Sequence, residues 1–415
     1  MQLYIDPGTG SMLFTVLVGV LGALVYAFRN LIIKLQFVLS GGKKEKVSET
    51  SLPFAIYSDD KRYWSTFGPV CREFEERKQP LTYMTASPDD PALKEQFEYV
   101  KCEFIGEGNK GFAKLNMLNA DVLLATTPGL DVYQWHRSKG VKYYIHILHA
   151  PNDALYRMYG LDYYDAVLLS GDFQGQQIRE LEELRGLPAK DMKVVGMPYL
   201  DELYRRKKNT PALPEHPTTV LLAPTWGVTG TLSRYGSKFI DALLATGYHI
   251  IVRPHPQSFK SEKELITGLM EKYPDSEQLE WDMNSDNFDT LNRSDIMISD
   301  FSGVMFDYCL VFNKPLIYAA IPYIKDPYDS YWIKEEMWTD RILPTIGHEL
   351  KPEDLDSLKE IIDGCLGEQK YRNGIDAARK ECWNNIGESA KLTADYMIEK
   401  RNELLNSEEN KDVIS

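Results

Sequence analysis

The chain has 415 residues, of which 43% are hydrophobic and 26% are charged, and its formal net charge is −14. This length exceeds what a single hydrophobic core usually accommodates, so two domains are expected. The acidic balance and the lack of a long basic block argue against nucleic acid as a partner, because a phosphate backbone is bound by clustered Lys and Arg.

The N-terminal segment has the pattern of a membrane anchor. Residues 12–28 carry no charge, and about 17 to 25 apolar residues suffice to cross a bilayer. Residues 1–11 contain Asp6 and lack the basic start of a secretory signal peptide. Lys and Arg follow the apolar run, which favours a cytoplasmic location for the rest of the chain. We expect a short external tail at 1–11, a single-pass anchor at 12–39 and a polar linker at 40–51, with a buried core helix as the alternative.

From residue 52 onward, short apolar runs alternate with helical patterns, which predicts βαβ units and mainly parallel sheets. Strands are predicted at 52–57, 81–84, 100–105, 120–125, 141–148, 166–169, 193–195, 219–223, 249–252, 296–299 and 316–318. Helices are predicted at 63–77, 173–184, 238–246, 263–272 and 303–312, with a largely helical tail from 352 to 404.

A basic, proline-containing stretch at 205–217 separates the two halves of this alternation and is typical of an interdomain connector. The fold class is therefore α/β, with two Rossmann-like domains at 52–205 and 206–405 and a disordered tail at 406–415. In such folds ligands bind beyond the carboxyl ends of the strands. Side chains that directly follow a strand are therefore the candidates for a site.

The cysteines indicate neither disulfides nor a metal site. No CxxC pair or Cys/His metal spacing is present, and we expect buried or unreactive thiols in a reducing compartment. P-loop, GxSxG and HExxH patterns are also lacking, so we expect neither a metal nor a cofactor. The five cysteines are Cys71, Cys102, Cys309, Cys365 and Cys382.

Arg253 and His255 lie in an Arg-Pro-His-Pro sequence that directly follows the predicted strand at 249–252. The prolines fix the backbone and present His255 at the strand end. Arg253 supplies permanent charge suited to phosphate oxygens. His255 is therefore a candidate donor to a diphosphate or acid for a leaving group, with a rigid turn that only needs a capping histidine as the alternative.

Ser299, Asp300, Ser302 and Gly303 lie between the strand at 296–299 and the helix that follows it. A helix N-terminus exposes free N–H groups and favours anions. Ser302 is suited to donate its hydroxyl to a phosphate, and simple helix capping is the alternative interpretation.

His149 follows the predicted strand at 141–148, where a neutral imidazole can take a proton from an acceptor hydroxyl. His146 lies inside that strand and is expected in the core. Thr225 follows the strand at 219–223 and is a candidate for the donor pocket. Its neighbour Trp226 either walls that pocket or packs between the domains.

Four motifs occur in a characteristic order: APTW at 223–226, RPHP at 253–256, SDFSGVMFDY at 299–308 and KPLIY at 314–318. Together they resemble the CDP-glycerol glycerophosphotransferases of teichoic acid synthesis and related polyol-phosphate transferases. The similarity covers residues 218–318 and extends more loosely over 144–175.

The resemblance implies a GT-B-like fold, with an N-terminal acceptor domain and a C-terminal domain that holds the donor nucleotide. It also implies that His149 is the base and that His255 lies near the donor diphosphate. Ser302 and Gly303 correspond to a phosphate contact usually written Ser-Ser, and Asp307 to the acidic residue of an FDF-like segment. His149 is followed by Ala-Pro where better-known members have His-Gly.

We therefore expect a membrane-anchored transferase on the cytoplasmic face. It would move a polyol phosphate from a CDP-polyol to a hydroxyl of a polymer or lipid-linked glycan precursor and release CMP. A nucleotide-sugar glycosyltransferase or epimerase of the same shape is one alternative, and a non-catalytic membrane scaffold is another. The identity of the polyol, the acceptor and the oligomeric state stay open at this point.

Overall fold

The computed structural model describes residues 51–284, 286–300, 302–319 and 325–414. The predicted external tail, the membrane anchor and nearly all of the linker lie outside these residues. Every helix in the described part of the chain is too short or too polar to cross a bilayer. The described residues from 52 onward form one compact unit.

The first half of this unit is built on a parallel sheet in the order β3-β2-β1-β4-β5-β6-β7 within the described residues. The interior strands are continuous apolar runs; β4, for example, is buried along nearly its whole length. That pattern is expected where helices cover both faces of a sheet. The strands are β1 (Leu52–Ser58), β2 (Leu81–Thr85), β3 (Val100–Phe104), β4 (Asn119–Ala125), β5 (Gly140–Ile147), β6 (Ala166–Leu169) and β7 (Asp191–Val194).

The second half repeats this arrangement with a parallel sheet in the order β10-β9-β8-β11-β12-β13, again counted over the described residues. All five residues of the central strand β8 are buried. The strands are β8 (Thr219–Ala223), β9 (His249–Val252), β10 (Leu279–Trp281), β11 (Ile296–Ser299), β12 (Leu316–Ala319) and β13 (Gly347–Leu350). The strand order reverses between β1 and β4 and again between β8 and β11, and these points are where α/β sheets bind ligands.

Helices connect and cover both sheets. In the first half they are α1 (Trp64–Glu76), α2 (Asn109–Leu115), α3 (Phe173–Arg185) and α4 (Pro198–Asn209). The helices that follow β8 along the chain are α5 (Thr231–Tyr235), α6 (Ser237–Ala245), α7 (Ser258–Ser261), α8 (Lys263–Lys272), α9 (Phe288–Arg293), α10 (Val304–Phe306), α11 (Trp338–Ile346), α12 (Leu358–Gly367), α13 (Gln369–Cys382) and α14 (Ser389–Ile414). A π-helical turn, Asp307–Val311, continues α10.

The fold class is confirmed at the level of an α/β protein with two parallel sheets, but the connector differs from its prediction. Residues 205–209 still belong to α4, because the basic side chains lie in its last turn, where they complement the helix dipole. All five cysteines are free, and Cys102 alone among them is partly exposed.

The last helix, α14, packs on the first half. From its position in the sequence it was predicted to belong to the second half. Ala394, Tyr396 and Met397 are buried in the same cluster as Phe54 and Phe67 of β1 and α1. The chain returns to the first half through a close backbone crossing. A Cβ atom added at Gly171 would lie 2.1 Å from the carbonyl oxygen of residue 381. Glycine is therefore required there.

The two halves are joined by buried carboxylates in the segments that follow β5 and β12. Asp153 accepts hydrogen bonds from the backbone N–H groups of Trp338 (2.8 Å) and Thr339 (3.0 Å), so it caps α11 from the opposite half. Asp329 accepts from the N–H of Tyr159 (2.8 Å) and pairs with Arg185. The segment that begins at His149 is thereby held against the second half.

Candidate active site

His149 lies just beyond the end of β5, beside Thr126 at the end of β4. The Thr126 hydroxyl donates a hydrogen bond of 2.8 Å to the carbonyl oxygen of Ile147. Its oxygen lies 2.7 Å from His149 Nδ1. Because the hydroxyl proton is already donated, Thr126 can only accept from Nδ1–H. The neutral imidazole therefore carries its free lone pair on Nε2.

The surroundings of His149 keep it neutral. Its ring lies 4.8 Å from the ring of Tyr63 and 6.2 Å from that of Tyr156, measured between centroids. Burial, together with the positive charge of Arg62, lowers the pKa of His149 to about 4. A neutral imidazole with a free Nε2 is a proton acceptor, which is what a general base requires.

His146 lies inside β5, one residue before the end of the strand. It is fully buried, and its Nε2 is 3.1 Å from the hydroxyl oxygen of Tyr156. Burial holds the pKa of His146 well below its ordinary value. This buried position agrees with the prediction that His146 is a core residue.

His255 has the opposite tautomer. The backbone N–H of Gln257 donates to His255 Nδ1 over 3.1 Å. Nδ1 is therefore an acceptor, and the proton of the neutral ring is on Nε2. Burial and the charge of Arg62 lower the pKa of His255, against the opposing charges of Asp300 and Glu262. His255 is thus a neutral hydrogen-bond donor, placed just after β9.

The positive charge of Arg62 acts on both of these imidazoles. Its guanidinium lowers the pKa of both His149 and His255, one from each half of the unit. A proton acceptor and a proton donor are therefore presented near the same cation, at the carboxyl edges of the two sheets. This arrangement can remove a proton from one oxygen and stabilise charge on another.

Asp300 organises the loop after β8 and offers no free oxygen. One carboxylate oxygen accepts from the N–H of Thr225 (2.6 Å), and the other accepts from the N–H and hydroxyl of Thr231 (both 2.8 Å). Ser299, which was predicted to bind the donor substrate, is also buried. Its hydroxyl donates a hydrogen bond of 2.6 Å to the carbonyl oxygen of Ala223. Both side chains hold the loop that carries Thr225 and Trp226.

Trp226 is 48% exposed, and its ring centroid lies 6.5 Å from that of His255. The indole therefore stands beside His255 at the strand end, where it can form a wall of a pocket. The adjacent Gly227 has φ of +93°, a conformation that favours glycine.

Ser302 and Gly303 precede α10, where the first N–H groups of a helix lack intrahelical partners. Gly303 is exposed, and a Cβ atom added there would meet nothing within 4 Å. A serine, as in the family pattern, would therefore also fit. The two residues form an accessible helix start at the strand-order reversal between β8 and β11.

Two residues predicted to bind the donor, Arg253 and Asp307, are engaged by other groups of the protein. The guanidinium of Arg253 is bound to Asp282 and, over 2.7 Å, to the carbonyl oxygen of Asn284. Asp307 is buried and accepts from the hydroxyl of Tyr199 over 2.7 Å. Burial raises the pKa of Asp307 to about 7. Asp307 therefore joins α4 to the π-helical turn.

The Arg253–Asp282 pair forms one wall of a cavity of about 290 Å³ beside the Arg-Pro-His-Pro turn. Its lining combines prolines, Phe259 and Met283 with the polar groups of Asp282 and Asn284. No group of three or more potential metal-ligating side chains occurs among the residues described.

Three residues of the first half were not identified from the sequence: Arg62, Tyr63 and Thr126. Arg62 and Tyr63 follow β1, and Thr126 follows β4. The signal available was position, because Thr126 and Thr127 directly follow a continuous apolar strand. Their function depends on the neighbouring strands, which a linear pattern does not specify.

Residues 160–331 match the sequence model of the family described as CDP-glycerol:poly(glycerophosphate) glycerophosphotransferase. This match confirms the resemblance carried by the motifs. No curated protein matches the chain.

Solved structures with the same fold include the wall teichoic acid polymerase TagF. It is 16% identical with a TM-score of 0.53, and the alignment covers 92% of this chain and 99% of TagF. The UDP-GlcNAc 2-epimerase of Neisseria meningitidis is 12% identical with a TM-score of 0.54, covering 83% of this chain and 99% of the epimerase. A putative UDP-N-acetylglucosamine 2-epimerase from Listeria monocytogenes is 11% identical with a TM-score of 0.53, covering 82% and 94%. At these levels of sequence identity the similarity shows a shared fold alone.

Proposed function

We propose that this chain transfers glycerol phosphate from CDP-glycerol to a polymer hydroxyl and releases CMP. The match of residues 160–331 to the CDP-glycerol glycerophosphotransferase family supports this proposal. The observation that carries this proposal is the pair of neutral imidazoles with opposite tautomers. His149 offers a lone pair on Nε2, and His255 offers a proton on Nε2.

In the proposed reaction the acceptor O–H gives its proton to His149 Nε2. The acceptor oxygen attacks the β-phosphorus and forms a new P–O bond. The bond from that phosphorus to the oxygen shared with the α-phosphate breaks, and CMP leaves with the electron pair. His255 Nε2–H and the N–H groups at the start of α10 stabilise the charge that develops on the leaving oxygen.

The low pKa of His149 keeps the imidazole neutral in the free enzyme, and we expect this pKa to change once the donor is bound. A neighbouring negative charge favours the protonated form of an imidazole. The diphosphate therefore raises the pKa of His149 towards the pH of the reaction, where proton transfer is efficient. The base is thus neutral before binding and more basic in the complex.

A donor panel tests the proposed function. Full-length protein would be incubated with CDP-glycerol, CDP-ribitol or UDP-N-acetylglucosamine, each with a glycerol phosphate oligomer, and the released nucleotide measured. We expect CMP from a CDP-polyol and no UMP or UDP. Release of UDP, or conversion of the UDP-sugar into its epimer, would replace this function by a nucleotide-sugar activity.

Thr126 gives a prediction about the tautomer of His149. Thr126→Val keeps the side-chain shape and removes the acceptor for Nδ1–H. By analogy with the groups that orient metal-bound imidazoles, kcat should fall about tenfold to hundredfold with little change in KM. Thr126→Ser should stay near wild type. Steady-state kinetics over a pH series measures both variants.

The matched control is Thr127→Val. The Thr127 hydroxyl donates to Asp59 over 2.8 Å and not to His149. Equal losses of kcat in the Thr126→Val and Thr127→Val variants would contradict the tautomer assignment and indicate a general disturbance of this edge.

The location at a membrane is a further part of the proposal, supported by the uncharged run at 12–28. An anchored enzyme on the cytoplasmic face would meet a lipid-linked acceptor at the bilayer surface. We expect the full chain to remain in the membrane pellet after a high-pH wash, and a chain that begins at residue 52 to be released. Release of the full chain under the same wash would exclude the anchor.

A further inference from the structure

A diphosphate donor carries several negative charges. Arg253, the cation that the sequence predicts for binding them, is already paired with Asp282. Arg253 is 14% exposed in its side chain and is bound to Asp282 and the backbone of Asn284. A transfer that relies on protein groups for electrostatic stabilisation needs a cation close to the transferred phosphate. The described residues around the two histidines offer Arg62 in this position.

Arg62 lies in the short 3-10 turn Lys61–Tyr63, directly after β1 at the strand-order reversal. Its guanidinium carbon is 5.1 Å from the ring centroid of Tyr63. The centroid of the same ring lies 4.8 Å from that of His149. The cation, the phenol and the proposed base therefore form one contiguous group.

The guanidinium is available to a ligand. The Arg62 side chain is 70% exposed, and its nearest carboxylate, Asp60, is 44% exposed at a distance of 3.6 Å. Exposed pairs of this kind contribute little to stability, so a phosphate can replace Asp60 as the partner. The other charged side chains of the turn are already bound, Lys61 to Asp89 and Asp59 to Thr127.

We propose that Arg62 binds the phosphate group that is transferred and positions it between His149 and His255. This inference rests on the proposed function and adds the residue that recognises the reacting phosphate. The planar guanidinium can donate two parallel hydrogen bonds to phosphate oxygens, which fixes orientation as well as charge. Its positive charge lowers the pKa of both imidazoles, which agrees with a position near both of them.

The competing explanation is an arginine that only covers Tyr63 and interacts with water. Under that explanation Arg62→Gln would leave donor binding unchanged. Under ours, it should weaken binding of CDP-glycerol to the full-length chain about tenfold to hundredfold, the loss expected for hydrogen bonds between charged groups. Arg62→Lys should lie between Arg62→Gln and wild type, because a lysine keeps the charge and loses the fork.

Arg72→Gln is the matched control, because Arg72 is an exposed arginine on the adjacent helix α1. Binding would be measured by isothermal titration calorimetry with CDP-glycerol and with CDP, and turnover by CMP release. Arg62→Gln should also raise the pKa that limits kcat/KM on the acid side, because the cation that lowers the pKa of His149 is removed.

The binding arm separates this inference from the proposed function. If wild type binds CDP-glycerol or CDP without turnover, the proposed transfer fails. A selective loss of binding in Arg62→Gln would still support the phosphate site. Binding of both nucleotides within twofold of wild type in Arg62→Gln, or an equal loss in Arg72→Gln, would overturn the assignment of Arg62.

Discussion

His149→Ala is expected to lower CMP release from CDP-glycerol by roughly 10²- to 10⁴-fold, the usual contribution of a positioned general base. The variant loses the Nε2 lone pair that accepts the acceptor proton, while donor binding is retained. Since His149 is only partly buried at the edge of β5, the fold should persist. Rapid-mixing measurements of CMP release, together with donor titrations, separate the loss of chemistry from a loss of binding.

His136→Ala is the matched control, because His136 is an exposed histidine of the same half that pairs with Asp131 at 3.1 Å. In wild type, kcat/KM should be constant through neutral pH and fall as the pH drops through about 4, where His149 of the free enzyme becomes protonated. A His149→Ala variant with at least a third of wild-type turnover would remove His149 from the mechanism.

His255→Ala is expected to lower kcat by about 10²- to 10³-fold, the usual cost of removing one donor to a developing oxyanion. KM for the donor should change less, because charge accumulates on the leaving oxygen mainly in the transition state. His255→Gln should recover part of the rate, since its side-chain amide can also donate. Steady-state kinetics of CMP release at saturating acceptor measures these effects.

The control for the second variant is His216→Ala, whose imidazole lies in the exposed segment before β8. The opposite pattern would contradict the assignment: a large rise in KM with unchanged kcat would make His255 a ground-state binding residue. Full activity of His255→Ala would remove the His255 imidazole from the mechanism.

The architecture was predictable because parallel strands covered on both faces are continuous apolar runs between helical patterns. Strands β1, β8 and β9 carry this signal and were predicted within one residue of their observed bounds. Strands β10 and β13 were missed. Both lie at sheet edges and contain polar residues that are not buried, Glu280 in β10 and His348 and Glu349 in β13. Their pairing depends on neighbours distant in sequence.

The missed β10 explains the different role of Arg253. Asp282 follows β10, which pairs with β9 and so brings this carboxylate beside Arg253. Without that strand the sequence shows an arginine two residues before a histidine, which predicts a guanidinium free to bind phosphate. The loop function of Asp300 was hidden for a similar reason, because its partners Thr225 and Thr231 lie about 70 residues earlier in the chain.

The positions of both histidines followed from strand ends, but their tautomers did not. Thr126 and the backbone of Gln257 determine which ring nitrogen carries the proton. Such partners are fixed only when β4 and β5 pair, and when the Arg-Pro-His-Pro turn closes. The chemistry of the site is therefore a property of the assembled sheets.

The central claim is most directly tested by the stoichiometry of the reaction. Full-length protein would be given CDP-glycerol and a glycerol phosphate oligomer, and the products followed by ³¹P nuclear magnetic resonance. The account predicts one new phosphodiester for each CMP released. Release of CMP with free glycerol phosphate and no phosphodiester, or no CMP at all, would contradict it.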